Sequence, residues 1–184
     1  MKKVWPVDSQ DKAEDLVILG ISYARMGKHL KALDAFQAAL ELEPDSAMIS
    51  YNLALEYISL NKPELALNYL NTAVKSEPDN PDYWCELGIA LYCIQDFPAA
   101  EESYDKAMSC GGESAQLWNS FGVLRFVTER YAEAKVFFIR AVQLDPLDQD
   151  AWYNLGDSLE LLGDLKGARK AKGEYQKLSS RKKS

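Results

Sequence analysis

Residues 115–148 read AQLWNSFGVLRFVTERYAEAKVFFIRAVQLDPLD, and residues 149–182 read QDAWYNLGDSLELLGDLKGARKAKGEYQKLSSRK. Placed one above the other, they align Trp118 with Trp152, Phe121 with Leu155, Gly122 with Gly156 and Ala134 with Ala168, a step of 34 residues. The same step carried backwards meets Ala100, Ala66 and Ala32 in one column and Gly88, Ala54 and Gly20 in a second. A third column holds Leu87, Leu53 and Leu19, and a fourth reads Pro44, Pro78, Gly112, Pro146 and Ser180. Four columns in one register, with no insertion or deletion, mark a repeat array.

The register defines five units, 13–46, 47–80, 81–114, 115–148 and 149–182, with a segment 1–12 ahead of them and a tail 183–184 behind. Within the first unit Leu16, Leu19, Gly20 and Tyr23 recur at i, i+3, i+4 and i+7, one face of a helix. Ala32, Phe36 and Ala39 do the same for a second helix. Gly27, Asn61 and Gly163 sit between the two and suit the left-handed residue after a helix end. Proline near the end of a unit stops the second helix. Ser46, Asn80, Ser114 and Asp148 close the first four units, and each is a favoured N-cap for the helix that follows. Pro81, directly after Asn80, occupies the first helical position where proline is accepted. Each unit is therefore a helical hairpin. Small residues let its two backbones approach, and Trp84, Trp118 and Trp152 fill the volume beside that contact. One hairpin cannot cover its own apolar face, so neighbours must stack. The expected fold is all-α, a right-handed α-solenoid of five helix-turn-helix hairpins, about ten helices.

Composition limits the function. Apolar residues make up 47% of the 184-residue chain, the mark of a folded protein. The net charge of −7 excludes a nucleic-acid partner, which needs a positive footprint. No apolar run reaches the length of a membrane span. Met1 to Gln10 carries two lysines but no apolar stretch after them, unlike a secretory signal, so a cytoplasmic location is expected. Cys85 and Cys93 lie on one predicted helix about 12 Å apart, too far for a disulfide, so ordinary thiols are expected. His29, the single histidine, falls in a predicted turn far from any cysteine. No group stands ready with an orienting partner for acid–base or nucleophilic chemistry, and no ligand cluster suggests a metal. The reading is a non-enzyme with neither cofactor nor metal.

The pattern Trp118, Phe121, Gly122, Ala134, Phe138, Ala141 and Pro146, with Trp152, Leu155, Gly156, Leu159 and Ala168, resembles the tetratricopeptide repeat, and the resemblance covers about 170 of the 184 residues. It implies a scaffold or adaptor that binds a partner peptide or helix in a concave groove lined by the first helices. The positions that face the groove in that family are, here, Val17 and Ile21 in the first unit and Tyr51, Asn52, Leu55 and Ile58 in the second. The third unit offers Glu86, Ile89 and Tyr92, the fourth Asn119, Val123 and Phe126, and the fifth Tyr153, Asn154 and Asp157. Apolar side chains dominate the first four units, and across all five units this face carries six acidic residues against Arg25. A fitting partner is a protein or peptide with apolar anchors and basic flanks. The cationic clamp by which some members hold an acidic chaperone tail is missing: Val17, Ile21, Asp82 and Glu86 stand at its positions. The asparagine ladder that reads extended backbones in other members is reduced to Asn52 and Asn154. Two competing readings are a self-associating structural protein and a secretion-type chaperone that shelters apolar segments.

The end of the array departs from the pattern. Lys172 replaces the Phe36, Leu70, Tyr104 and Phe138 column, and Tyr175 replaces a small residue. From Asp164 to Ser184 the chain carries net +6, which leaves −13 on the rest. A wettable cap on a terminal repeat accounts for this. Trp5 and Pro6 suggest an extended N-terminal stretch with one apolar anchor, and the sequence leaves open whether Met1 to Lys12 covers the first helix, covers the groove or stays loose.

Overall fold

The computed structural model describes residues 9–181, and among them it contains ten α-helices and no strand. The chain forms two compact units, Met1–Asp96 and Phe97–Ser184. The first holds α1 (Ser9–Arg25), α2 (His29–Leu42), α3 (Ala47–Ser59), α4 (Pro63–Ser76) and α5 (Pro81–Cys93). In it α1 packs on α2 and α3 on α4 as hairpins, α2 meets α3, and α4 meets α5. The second holds α6 (Phe97–Ser109), α7 (Ala115–Val127), α8 (Tyr131–Leu144), α9 (Gln149–Leu161) and α10 (Leu165–Arg181). There α7 pairs with α8 and α9 with α10, α6 meets α7, and α8 meets α9. Helix α1 starts four residues before position 13, at Ser9. The reading of Trp5 and Pro6, and the tail at 183–184, lie outside the described residues.

The small-residue columns do what their sizes allow. Ala32, Ala66, Ala100 and Ala134 are fully buried. A Cβ on Gly20 would lie 2.5 Å from the Phe36 ring, and one on Gly122 would lie 2.6 Å from Phe138. In the second unit of the repeat the pair is Ala54 with Leu70, both fully buried in one core cluster. Thus glycine faces phenylalanine where alanine faces the smaller leucine. In the last repeat the stem of Lys172 covers Gly156, where a Cβ would lie 2.8 Å from its Cγ.

The Leu19 column holds in four repeats and fails in one. Leu53, Leu87, Phe121 and Leu155 are buried, whereas Leu19 is 42% exposed. Leu53 packs in a cluster with Leu33, Phe36 and Ala39 of the repeat before it. No helix precedes α1 among the described residues, so none of them packs on Leu19 in this way.

Every hairpin turns at the same point. Gly27, Asn61, Gln95, Glu129 and Gly163 all have positive φ, between 56° and 79°. In each, the next residue's N–H closes the helix end, as Lys28 does on the Tyr23 carbonyl at 2.9 Å. Gln95 and Glu129 hold this conformation without the residue type that favours it. The N-caps divide as well: Asn80, Ser114 and Asp148 accept from backbone N–H groups of the helix they start, whereas Ser46 makes no such bond.

Between the third and fourth repeats the proline turn is absent. Gly111 takes φ 83° and Gly112 N–H donates to the Ala107 carbonyl, so α6 ends as the hairpin turns do. This rerouting costs Trp118 a partner. Trp84 Nε1 donates to the Pro78 carbonyl at 2.7 Å and Trp152 Nε1 to that of Pro146 at 3.0 Å. Trp118 Nε1 is buried with no hydrogen-bond partner.

Three charged residues, Glu56, Glu86 and Arg125, lie in the packed interior among the described residues. Arg125 stands where the other repeats have Tyr23, Tyr57, Leu91 and Leu159, and it is 6% exposed. Its Nη1 lies 2.7 Å from Glu101 Oε1, its Nε 3.4 Å from Glu133, and its guanidinium carbon 4.4 Å from the centre of the Phe121 ring. Arg130 reaches the same two carboxylates.

Candidate protein-interaction surface

In the first unit the first helices of successive repeats, α1, α3 and α5, touch in order. A repeat step of 34 residues places equivalent side chains on equivalent faces, so Ile21, Leu55 and Ile89 occupy one file. All three are half-buried, as are Tyr51, Asn52, Ile58 and Tyr92. Ile18 and Met48, at flanking positions, are 62% and 48% exposed. Two positions depart from the expected exposure. Val17 is buried in the cluster with Ala32, Phe36 and Leu53, and Glu86 is buried on α5. Neighbouring helices decide both, and the register alone does not report them.

Tyr51 stacks obliquely on Tyr83, with ring centres 4.8 Å apart. Burial, and then the Glu86 and Asp82 carboxylates, push its hydroxyl well above the usual tyrosine range, so it stays protonated. Asn52 donates to the Met48 carbonyl at 2.8 Å, which turns part of its amide back on its own helix.

In the second unit α7 and α9 touch, and they carry Asn119, Val123, Phe126, Asn154 and Asp157 as half-buried side chains. Tyr153 is 47% exposed and packs its ring edge against Tyr175 of α10. Asn154 Nδ2 donates to Asn119 Oδ1 at 3.0 Å, so these two asparagines engage one another. Lys172 Nζ lies 3.1 Å from Asp157 and also pairs with Glu160. Asp157 and Glu160, two of the acids expected on this face in the fifth repeat, are therefore countered from within the chain. Exposed acid remains on the groove face at Asp150, and in the first unit at Glu14 and Asp82.

His29 begins α2, and its Nδ1 lies 2.8 Å from Glu56 Oε2 on α3. It ties one repeat to the next, a role that its place in the sequence does not reveal. Cys85 is buried, Cys110 is partly buried and Cys93 is exposed, all as free thiols. Partial desolvation beside its neighbours, then Glu64 and Glu86, raise the Cys93 thiol, which works against nucleophilic use. Among the described residues no group of three or more His, Cys, Asp or Glu is placed to hold a metal ion, and no helix is long and apolar enough to cross a membrane.

Comparison with known proteins gives a consistent picture. Residues 23–87 and 120–177 each match a family profile described as tetratricopeptide repeat. A BBSome complex member BBS4 homolog of Drosophila melanogaster is 27% identical over 81% of this chain and 31% of its own length. The BBSome complex member BBS4 of Bos taurus is 30% identical over 76% of this chain and 27% of its own length. The chain thus spans under a third of these curated relatives. Among solved structures, the pilF protein of Pseudomonas aeruginosa superposes with a TM-score of 0.83 at 20% identity, covering 92% of this chain and 77% of the other. That likeness is one of fold.

Proposed function

Because this chain belongs to the tetratricopeptide repeat family, we propose that it is a non-catalytic scaffold that binds a segment of another protein along its first helices. The observation that carries the reading is the file of half-buried apolar side chains at equivalent positions of α1, α3 and α5, Ile21, Leu55 and Ile89, flanked by the exposed Ile18 and the half-buried Ile58. Apolar surface grouped in this way favours a partner's apolar side chains over water. The proposed contact set is Ile21, Tyr51, Asn52, Leu55, Ile58, Ile89 and Tyr92 in the first unit. Asn119, Val123, Phe126, Tyr153, Asn154 and Asp157 form a second, separate patch. Glu14 and Asp82 flank the first set, so a segment with apolar anchors and basic flanks suits that unit best. That two curated relatives are named as members of a complex supports a role in assembly.

A photo-cross-linking amino acid introduced singly tests this in cells. Ile18, Ile58 and Phe126 are expected to yield adducts to one partner, and Val136 and Leu147, which are exposed on other surfaces, to yield few. Adducts through Val136 or Leu147 with none through Ile18 or Ile58 would reject the groove. An adduct of twice the chain's mass would instead select self-association, for which the exposed Leu19 is the supporting observation.

A further inference from the structure

Two columns of the first helix are buried in the second to fifth repeats and open in the first. Ile49, Tyr83, Leu117 and Ala151 are buried where Asp15 is exposed, and Leu53, Leu87, Phe121 and Leu155 are buried where Leu19 is exposed. In the inner repeats these positions pack on the second helix of the repeat before. Ile49 and Leu53 share a cluster with Leu33, Phe36 and Ala39 of α2. Between α6 and α7 the register is explicit. Glu101 meets Arg125 at 2.7 Å, and Tyr104 meets Phe121 with ring centres 5.3 Å apart. A step forward along α6 is thus a step back along α7, so the two helices run antiparallel.

The same register can be carried to the two ends. On α10 the positions of Glu101 and Tyr104 are held by Arg169 and Lys172, with Gln176 one turn further on. On α1 the positions of Arg125 and Phe121 are held by Tyr23 and Leu19, with Asp15 one turn further back. The α10 side forms a cleft of about 360 Å³, lined by Leu165, Arg169, Lys172 and Gln176 among others. Both terminal helices are also long, 17 residues each against 13 or 14 in the other eight. The added turn of α1 is at its N-terminal end and carries the exposed Asp11, and that of α10 is at its C-terminal end and carries the exposed Arg181. An antiparallel pairing of α1 with α10 sets these two turns against one another.

We propose that α10 of one copy receives α1 of a second copy of this chain, as an inner repeat receives the next. Leu19 lies over the aliphatic stem of Lys172, Tyr23 faces Arg169, Asp15 meets Gln176, and Asp11 pairs with Arg181. The head is acidic where the tail is basic, so a head meets a tail and like ends repel. The contact is heterologous, between unlike faces of one chain. It uses neither α3 nor α7, so Ile58 and Phe126 report a partner in the groove separately from this joint.

Sedimentation of the full chain and two variants tests the joint. The wild type is expected to show a weight-average mass that rises with concentration and falls as salt is added. Leu19→Lys blocks the head, and Arg169→Glu combined with Gln176→Glu blocks the tail. Each variant alone is expected to self-associate about tenfold more weakly, or less still. Their equimolar mixture is expected to restore association and to stop at a heterodimer, because one intact head and one intact tail remain. Association of either variant alone at wild-type strength, or a mixture that stays monomeric, would overturn the proposal. So would a wild type that stays monomeric at its highest soluble concentration, which would leave these ends to other parts of the chain or to another protein. Should a variant fail to fold, a photo-cross-linking amino acid at Leu19 decides. An adduct to α10 of a second copy is expected, and an adduct elsewhere, or none, counts against the joint.

Discussion

At the scale of the residue, the pairing of Gly122 with Phe138 is a steric fit with little slack. A Cβ at 2.6 Å from the ring forces the phenylalanine off its rotamer. Gly122→Ala is expected to destabilise by about 1–2 kcal/mol, the overpacking cost being partly offset by alanine's better helix propensity. Phe138→Leu in the same chain reproduces the Ala54–Leu70 pair and is expected to recover most of that loss, a coupling that a double-mutant cycle in urea would measure. A coupling of zero would show that the two columns do not set one another. Arg125 poses a different case. A hydrophobic replacement of a buried ion pair is often neutral, so Arg125→Leu, which restores the residue found at Leu91 and Leu159, is expected to stay within about 1 kcal/mol of wild type. Glu101→Gln leaves the guanidinium buried with weaker compensation and is expected to cost about 1–2 kcal/mol. The Glu101 carboxyl is held below its ordinary value near 4.5, foremost by its hydrogen bond from Arg125. The unfolded chain therefore takes up this proton more readily. The stabilisation is complete above the ordinary value and is lost as pH falls through the lowered one. The difference between wild type and Glu101→Gln should shrink as unfolding is followed from about pH 7 down to about pH 3, and a constant difference would contradict this assignment.

At the scale of the element, the five hairpins share one turn but not one residue type. Left-handed φ costs a residue with a Cβ about 1 kcal/mol relative to glycine, and Glu129 at 62° bears that cost in an exposed position. Glu129→Gly is expected to raise stability by about 0.5–1 kcal/mol, seen as a later urea midpoint with an unchanged slope. Gly27, Asn61 and Gly163 were legible as turn residues because composition there follows conformation. Gln95 and Glu129 were not, because the packing of the two flanking helices imposes the turn and the local residue merely tolerates it. The groove divides in the same way. The file Ile21, Leu55 and Ile89 follows from the register alone. The burial of Val17 and Glu86, and the pairing of Asp157 with Lys172, depend on which neighbour each helix meets.

At the scale of the whole molecule, the fold was legible because its decisive residues are small and recur at one step. Ala32, Ala66, Ala100 and Ala134 sit at close helix contacts, and such contacts admit few substitutes. The exceptions were harder to see, since each depends on what a residue meets in its neighbours and not on the repeat step alone. Leu19 follows the column but no helix precedes α1 among the described residues to bury it, and the Gly111–Gly112 turn strands the Trp118 indole. The matched sizes of Gly20 with Phe36 and of Ala54 with Leu70 also decide how such a chain can be recombined. A crossover at a hairpin's own turn would join the helix of Ala54 to that of Phe36 and create a clash, or join that of Gly20 to that of Leu70 and leave a void. A crossover between hairpins moves each matched pair intact. The unit that can be duplicated, shuffled or grafted without repacking is therefore the complete 34-residue hairpin, and its natural seam lies at Ser46, Asn80, Ser114 and Asp148.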